Sequence, residues 1–382
     1  MRLVYLTTFT YPSSYANRLQ VLKMAEAFSR LCDFLLVIGN ISGNVSDVFE
    51  QNSIRSAFSV ESCNTTLRGR FRMVRAVRAW RRIVRKNPPG TVFYAREPLP
   101  AFMLTFLSKR FRSNFFFEAH SFTRYPAFIY RRVFGCVRGV IATSEKKAYV
   151  FQERFRVPKQ KILVRGNGFD GEFFRVMPTK EEARNALHLP QDKRVVTMIG
   201  KPTAERDIAT FLMATEKMPE ALFLSVGGLP QEIEHLRSHA GFARVRFVER
   251  VRPADVAAYY AASDAIAVLL STAFPEIAEF ASPLKAREAL ATGVPVLFSD
   301  VPALRDVADD SFVTYVKPDD ADALAAGIQS QFADYDSAVK KAAMAREIFM
   351  KQSWQNRAED IVDFMENQER NKSRHCFSIM QG

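Results

Sequence analysis

Short apolar runs alternate with helical stretches along most of this 382-residue chain. The first series of runs suited to buried strands lies at residues 3–7, 34–38, 92–94, 115–118 and 140–142. The second series follows Asp170 and lies at residues 195–199, 222–226, 245–247, 265–269, 294–298 and 312–316. Alternation of strand and helix is typical of parallel sheets covered by helices on both faces. The sequence therefore predicts an α/β protein with two Rossmann-like domains.

The length of the chain suits two domains that each bury a core. We place the first domain at residues 1–172 and the second at 173–352, followed by an amphipathic helix at 353–368 and a loose tail at 369–382. No apolar run approaches the roughly 20 residues that a membrane-spanning helix needs. The four cysteines lack metal-site spacing, which fits a reduced compartment. A cytoplasmic location is the resulting expectation.

The charge of the chain is strongly basic, at +13, and much of it lies in one segment. Nine Lys or Arg residues occur between Arg68 and Lys86, and apolar residues recur among them at helical spacing. Such a helix can lie peripherally on an anionic membrane, here the inner face of the cell membrane. It can equally pack its apolar stripe on the domain core and expose a solvated basic face. Both interpretations stay open on the sequence.

One segment predicts a helix followed by a buried strand: SPLKAREALATGVPVLFSD at 282–300. Ser282 suits the N-cap, Pro283 the first helical position and Gly293 the helix stop. Lys285 and Glu288 are three residues apart and share a face. A helix start favours phosphate, and Glu288, about 9 Å further along the axis, could then reach a ribose diol. An ordinary helix with a surface Lys/Glu pair is the alternative.

The same segment resembles the nucleotide-binding helix of retaining GT-B glycosyltransferases of the "glycosyl transferases group 1", or glycosyltransferase family 4-like, type. The resemblance implies two Rossmann-like domains facing a cleft, with a C-terminal helix that crosses back to the first domain. It also implies that Glu288 holds the donor ribose. The rest of the implied donor site is the helix start: Ser282, Pro283, Leu284 and Lys285. The chain departs from the family pattern at Phe280, where many members have a second Glu that contacts the transferred sugar.

Basic residues follow two of the predicted strands. Lys201 and Arg206 lie on the loop after residues 195–199, at the sheet edge where open α/β folds bind ligands. They match the family segment that binds the donor diphosphate, so the resemblance implies that they stabilise the leaving group. Two solvated loop charges are the alternative. His120 follows residues 115–118, and the resemblance implies that it contacts the donor sugar.

Other candidates for the acceptor site or cleft lie on the first loop and after residues 92–94: Ser13, Ser14, Asn17 and Arg96. Asp320-Ala321-Asp322 fits the D-x-D metal signature of other glycosyltransferases. Because it opens an alanine-rich helix, we interpret Asp320 as an N-cap and predict no metal site and no cofactor.

Taken with the resemblance, these features predict a metal-independent, hexosyltransferase-like enzyme that moves a sugar from a UDP- or GDP-linked donor to an acceptor hydroxyl. The resemblance implies that the anomeric configuration is retained. A lipid-linked or saccharide acceptor would connect it with polysaccharide or glycolipid biosynthesis. A GT-B sugar-nucleotide epimerase is a second enzyme hypothesis, although no acid/base carboxylates are evident. A basic nucleic-acid-binding protein is suggested by charge, but the chain has no recognition motif and we expect no nucleic-acid partner. A protein-binding pseudoenzyme is a further hypothesis, because Phe280 stands where many family members have the first Glu of the motif.

Overall fold

The computed structural model describes residues 1–13, 15–64 and 70–380. The chain divides into two compact units. The first unit comprises Met1–Asn167 together with Trp354–Gly382, and the second is Gly168–Ser353.

A parallel sheet forms the centre of the first unit, with the strand order β5-β3-β1-β6-β7-β8-β9. The strands of this unit are β1 (Arg2–Leu6), β2 (Thr10–Tyr11), β3 (Asp33–Ile38), β4 (Asn40–Ile41), β5 (Ser59–Ser62), β6 (Val92–Ala95), β7 (Phe115–Ala119), β8 (Gly139–Ala142) and β9 (Ile162–Val164). Strands β2 and β4 pair with each other outside the main sheet. The short edge strands β5 and β9 were not predicted.

Helices pack against this sheet, as expected for parallel strands whose central members are buried. They are α1 (Ala16–Ser29), α2 (Val45–Gln51), α3 (Arg70–Lys86), α4 (Pro98–Leu107), α5 (Lys109–Ser113), α6 (Ala127–Cys136) and α7 (Glu145–Phe155). Helix α4 contacts both α3 and α6. Most of the described apolar stripe of α3 is buried, since Val77, Trp80 and Val84 are at most 2% exposed, whereas Val74 is 38% exposed. The buried part of the stripe packs on the core, as one of the two interpretations of this helix predicted.

The second unit has its own parallel sheet, with the strand order β12-β11-β10-β13-β14-β15. Its strands are β10 (Val195–Ile199), β11 (Leu222–Val226), β12 (Val245–Val248), β13 (Ala265–Val268), β14 (Val296–Ser299) and β15 (Thr314–Val316). Neighbouring residues on one strand face different apolar clusters, as Leu297 and Phe298 do. The sheet therefore has a core on each face.

The helices of the second unit are mostly short. They are α8 (Gly171–Arg175), α9 (Lys180–Ala186), α10 (Ile208–Ala214), α11 (Pro230–Glu234), α12 (Val256–Ala261), α13 (Pro275–Phe280), α14 (Leu284–Leu290), α15 (Pro302–Arg305), α16 (Ala321–Ala333) and α17 (Tyr335–Phe349).

The last helix, α18 (Trp354–Met380), belongs to the first unit, where it contacts α1 and β8. It extends well past residue 368, although the sequence predicted a loose tail at 369–382. No Gly or Pro occurs in this stretch before Gly382, so its sequence contains no signal that ends a helix. Among the described residues, no helix is both long and apolar enough to cross a bilayer.

Candidate functional site

Helix α14 begins one residue later than the sequence predicted. Pro283 occupies the N-cap position, with a ψ of 122° that keeps it extended, and Leu284 is the first helical residue. The prediction that Ser282 is the N-cap was therefore wrong. Proline fixes only φ, near −65°, so it suits an extended N-cap as well as the first helical turn. Gly293 has a φ of +78° after the helix, in the left-handed region that favours glycine at a helix stop.

Lys285 and Glu288 contact each other on α14. Lys285 Nζ lies 2.5 Å from Glu288 Oε2, and the Tyr260 hydroxyl on α12 donates a hydrogen bond to the same oxygen at 3.2 Å. Only 16% of the Glu288 side chain is exposed, so this is not a solvated surface pair. Within the described chain, Glu288 Oε1 accepts no hydrogen bond. One carboxylate oxygen is thus fixed in place and the other is available to a ligand.

Tyr260 is held in its protonated form by this arrangement. Burial, followed by the charge of Glu288 and the hydrogen bond to it, raises the pKa of the Tyr260 hydroxyl well above its ordinary value. The hydroxyl therefore remains a donor and orients Glu288 across the physiological pH range.

Arg206 lies against the backbone at the end of β10. A Cβ atom on Gly200 would stand 3.3 Å from Arg206 Nη1, and Gly200 has a φ of +135°, so a glycine there allows the guanidinium to approach. Burial lowers the pKa of Arg206, while Tyr260 and Glu288 oppose that shift, so these groups interact electrostatically. Arg206 has no ion-pair or hydrogen-bond partner for its side chain in the part of the chain that the structure describes. Its charge is available to an anion.

Lys201 lies on the same loop but has a different partner. Its Nζ is 2.5 Å from Glu232 Oε1 on α11, and 57% of the Lys201 side chain is exposed. The hydrogen bond from Lys201 holds the pKa of Glu232 below its ordinary value. Of the two predicted cations, Arg206 is influenced by the charge of Glu288, whereas Lys201 pairs with Glu232.

A pair of glycines that the sequence analysis overlooked follows β11. Gly227 has a φ of +126°, and a Cβ atom there would lie 2.6 Å from the carbonyl oxygen of Gly200. The loops after β10 and β11 can therefore approach each other closely at the carboxyl edge of the sheet. The adjacent Gly227 and Gly228 directly after a predicted strand were a visible signal for such an approach.

A buried ionic cluster lies at the carboxyl end of β7 in the first unit. The Glu118 carboxylate contacts Tyr94, His120 and Arg357, and Arg357 Nη2 lies 3.1 Å from Glu118 Oε1. Arg357 belongs to α18, and its Nε also donates to the Gly166 carbonyl at 2.8 Å. Although burial opposes ionisation, Arg357 and His120 hold the pKa of Glu118 well below its ordinary value. The carboxylate is thus charged and fully engaged.

His120 is neutral in this environment. Burial and the charge of Arg96 lower its pKa to about 3, against the opposing effect of Glu118. Because Nε2 faces the Glu118 carboxylate, Nε2 is the protonated nitrogen and Nδ1 is an acceptor. About a fifth of the side chain (21%) is exposed. His120 can therefore accept a hydrogen bond from a hydroxyl but brings no positive charge.

The remaining candidates of the first unit lie near the start of α1. Arg96 Nη1 donates to the Asn17 carbonyl at 3.3 Å, and Arg96 also interacts electrostatically with His120. Ser13 Oγ accepts a hydrogen bond of 2.6 Å from an arginine of α1. Ser14 lies outside the described residues. Arg96 thus contacts the Asn17 backbone and contributes to the electrostatic environment of His120.

Asp320 caps α16, as the sequence predicted, because its Oδ1 accepts a hydrogen bond from the Ala323 backbone N–H at 3.0 Å. Asp322 pairs with Lys217 at 2.5 Å. The described residues contain no group of three or more His, Cys, Asp or Glu side chains that could hold a metal ion.

Residues 193–334 match the family model described as "Glycosyl transferases group 1". No curated protein sequence matches the chain. Three similar solved structures are a glycosyltransferase from Rickettsia africae, a sucrose-phosphate synthase from Thermosynechococcus elongatus and the Anabaena protein HepE in complex with UDP.

The first two of these structures have a TM-score of 0.75, at 15% and 20% identity. Each covers 97% of this chain, and this chain covers 99% and 100% of them. HepE has a TM-score of 0.73 and 16% identity, with 96% and 100% coverage. Residues 193–334 therefore carry a domain of the glycosyl transferases group 1 type, and the chain as a whole has the GT-B fold.

Proposed function

We propose that this protein is a retaining glycosyltransferase that moves a hexose from a UDP- or GDP-linked donor to an acceptor hydroxyl. The observation that carries the proposal is the arrangement in the second unit. There Arg206, whose guanidinium has no ion-pair or hydrogen-bond partner among the described residues, is influenced by the charge of Glu288, whose Oε1 accepts no hydrogen bond from those residues. A cation for a diphosphate and a carboxylate for a ribose diol together suit a nucleoside diphosphate. The family match and the UDP bound by HepE support this choice.

In this mechanism the side chains act on the leaving group. Arg206 and Lys201 neutralise the negative charge that grows on the diphosphate as its bond to the anomeric carbon breaks. Glu288 accepts hydrogen bonds from the ribose, and the start of α14 with Lys285 adds to the donor site. His120 accepts a hydrogen bond from a sugar hydroxyl through Nδ1. The acceptor oxygen attacks from the face that the diphosphate leaves, and the leaving phosphate takes its proton.

The chain's own cations take the role that metal ions serve in other transferases, so we propose metal-independent transfer without a cofactor. The acceptor, a lipid-linked or free saccharide, binds to the first unit, where Ser13, Asn17 and Arg96 are candidate contacts. This assignment places the protein in polysaccharide or glycolipid biosynthesis.

A panel of UDP- and GDP-sugars, assayed for release of free UDP or GDP with and without EDTA, tests the proposal. We expect release from at least one donor, unchanged by EDTA and increased by a suitable acceptor. Nucleotide binding without turnover of any donor would indicate a pseudoenzyme, and an epimerised donor without diphosphate release would indicate an epimerase. A strict requirement for Mg²⁺ or Mn²⁺ would overturn the metal-independent mechanism.

Replacing Glu288 by alanine is expected to weaken binding of the nucleoside diphosphate about 10- to 150-fold. The reason is the loss of hydrogen bonds to a charged group, which contribute about 1.5–3 kcal/mol. Isothermal calorimetry with UDP and GDP measures the change. Glu347→Ala, at an exposed position of α17, is the matched control and should bind like the parent. Unchanged affinity in Glu288→Ala would mean that Glu288 does not contact the nucleotide.

The ion pair between Lys201 and Glu232 competes with any anion that Lys201 binds. We therefore expect Glu232→Gln to tighten nucleoside diphosphate binding, and Lys201→Ala to weaken it. Because the pair is exposed, the gain should be only about 0.2–1 kcal/mol. In the double variant Lys201→Ala/Glu232→Gln, the Glu232 substitution should no longer increase the affinity for the nucleoside diphosphate, because the lysine that it would release is absent. A gain that persists in the double variant would show that Lys201 does not bind the diphosphate.

A further inference from the structure

The positive charge of the chain is concentrated in one stretch of the first unit. From Cys63 to Cys136 the sequence contains sixteen Lys or Arg residues and only two acidic ones, Glu97 and Glu118. Both acidic side chains are engaged inside the unit, Glu97 with Thr8 and Glu118 in its ionic cluster. Helices α3, α4, α5 and α6 contain no acidic residue. This layer of helices therefore presents almost pure positive charge.

Large apolar side chains stand exposed on the same layer. Phe106 is 60%, Leu107 45% and Phe128 56% exposed. Phe102 packs edge to face against both Phe106 and Phe128, with ring centroids 5.1 and 5.7 Å apart, so it joins the two helices. We call these four residues of α4 and α6 the apolar ridge. The Arg132 guanidinium lies over the Phe106 ring at 4.5 Å, which places a cation directly at the ridge.

Helix α3 supplies mainly charge beside this ridge. Val77, Trp80 and Val84 of its apolar stripe are buried in the core and Val74 is 38% exposed, whereas its basic side chains face outward. The exposed basic residues of α3 are Arg75, Arg78, Arg81, Arg82, Arg85 and Lys86. Because α4 contacts both α3 and α6, the basic face and the apolar ridge lie on neighbouring helices. Arg68, at the start of the basic segment, lies outside the described residues.

We propose that this helical layer docks on an anionic bilayer surface, with the apolar ridge entering the interface and the basic face of α3 contacting the headgroups. The proposal goes beyond glycosyl transfer and does not depend on it. Apolar and aromatic side chains surrounded by Lys and Arg are typical of proteins that lie in a membrane interface. Nucleic acid would satisfy the charge, but it would not explain a ridge whose rings pack on each other and continue into a leucine. The proposed docking surface therefore includes residues of α4 and α6, whereas the sequence analysis considered only the basic segment that contains α3.

Co-sedimentation of the full chain with vesicles tests this proposal. Vesicles of phosphatidylcholine alone are compared with vesicles that also contain phosphatidylglycerol, at low and at high salt. We expect binding to the anionic vesicles, little binding to the neutral ones, and release at high salt because the headgroup attraction is screened. The double variant Phe106→Ser/Phe128→Ser should bind anionic vesicles about tenfold more weakly.

Matched controls remove comparable groups from the second unit. Met213→Ser/Ile348→Ser deletes apolar side chains that are 50% and 46% exposed, and it should bind vesicles like the parent. A second pair of variants tests the role of charge. Arg78→Glu/Arg82→Glu should lose binding to anionic vesicles. Lys193→Glu/Lys340→Glu, at exposed positions of the second unit, should lose much less. Thermal unfolding of each variant verifies that the fold is retained.

Three outcomes would overturn the proposal. Equal binding to neutral and anionic vesicles would remove the role of charge. Unchanged binding of Phe106→Ser/Phe128→Ser would remove the role of the ridge. Tighter binding of a random-sequence oligonucleotide than of anionic vesicles would assign the basic layer to nucleic acid instead.

Discussion

Replacing Arg206 by alanine is expected to lower kcat for sugar transfer by about 10²- to 10³-fold while the donor KM changes only a few-fold. Loss of one preorganised group that stabilises developing charge has an effect of this size. The negative charge on the leaving diphosphate is larger in the transition state than in the bound donor, so the loss falls on kcat. Initial rates of UDP or GDP release, measured over a range of donor concentrations, separate the two constants.

Two further variants support the interpretation of this experiment. Arg206→Lys keeps the charge and should recover part of kcat, which a purely structural role of the guanidinium against Gly200 would not predict. Arg244→Ala, at an exposed position before β12, should leave both constants unchanged. If Arg206→Ala raises KM and leaves kcat intact, Arg206 contributes to ground-state binding alone.

Replacing Arg357 by methionine is expected to destabilise the first unit by about 3–5 kcal/mol. The substitution leaves the Glu118 carboxylate buried without its main cation, and removal of one partner from a buried ion pair has a cost of this size. Urea unfolding followed by circular dichroism measures the free energy. Arg370→Met, on the same helix but 72% exposed, should change it by less than about 0.5 kcal/mol.

The pH dependence of the Arg357→Met effect identifies Glu118 as its source. The folded pKa of Glu118 lies well below its ordinary value of 4.5, so its charge stabilises the folded state above about pH 4.5. This stabilisation is lost as the pH falls through the folded pKa. The difference in unfolding free energy between the parent and Arg357→Met should therefore become smaller in acid. Adding Glu118→Gln to the Arg357→Met variant should recover part of the lost stability at pH 7. A difference that stays constant with pH would assign the effect to packing of α18.

The fold was predictable from the sequence because a strand buried on both faces is apolar at most of its positions. The runs at 195–199 and 222–226 match β10 and β11 residue for residue. The GT-B fold was predicted from the resemblance of the segment at 282–300, and the similar solved structures confirm it. The boundary of α14 was less accessible, because Ser282 and Pro283 both suit the start of a helix.

The partners of the candidate residues were not accessible from the sequence. Tyr260 on α12 orients Glu288 on α14. Arg357 on α18 contacts Glu118, which lies more than 200 residues earlier in the chain. Neither residue carries a local signal, since an isolated Tyr or Arg on an amphipathic helix is most often a surface or packing residue. These pairs depend on which helices the fold places together, which no pattern within a short segment records.

The first unit is built from two separate segments of the chain, and this affects the order in which the two units can fold during synthesis. This unit joins Met1–Asn167 to α18 at the far end of the chain, so Glu118 receives Arg357 only after the intervening Gly168–Ser353 has been made. Domains usually fold during synthesis from the N-terminus onward. Here the second unit is the first whose sequence is complete as the chain leaves the ribosome. The first unit cannot complete its ionic cluster until α18, which carries Arg357, has been synthesised.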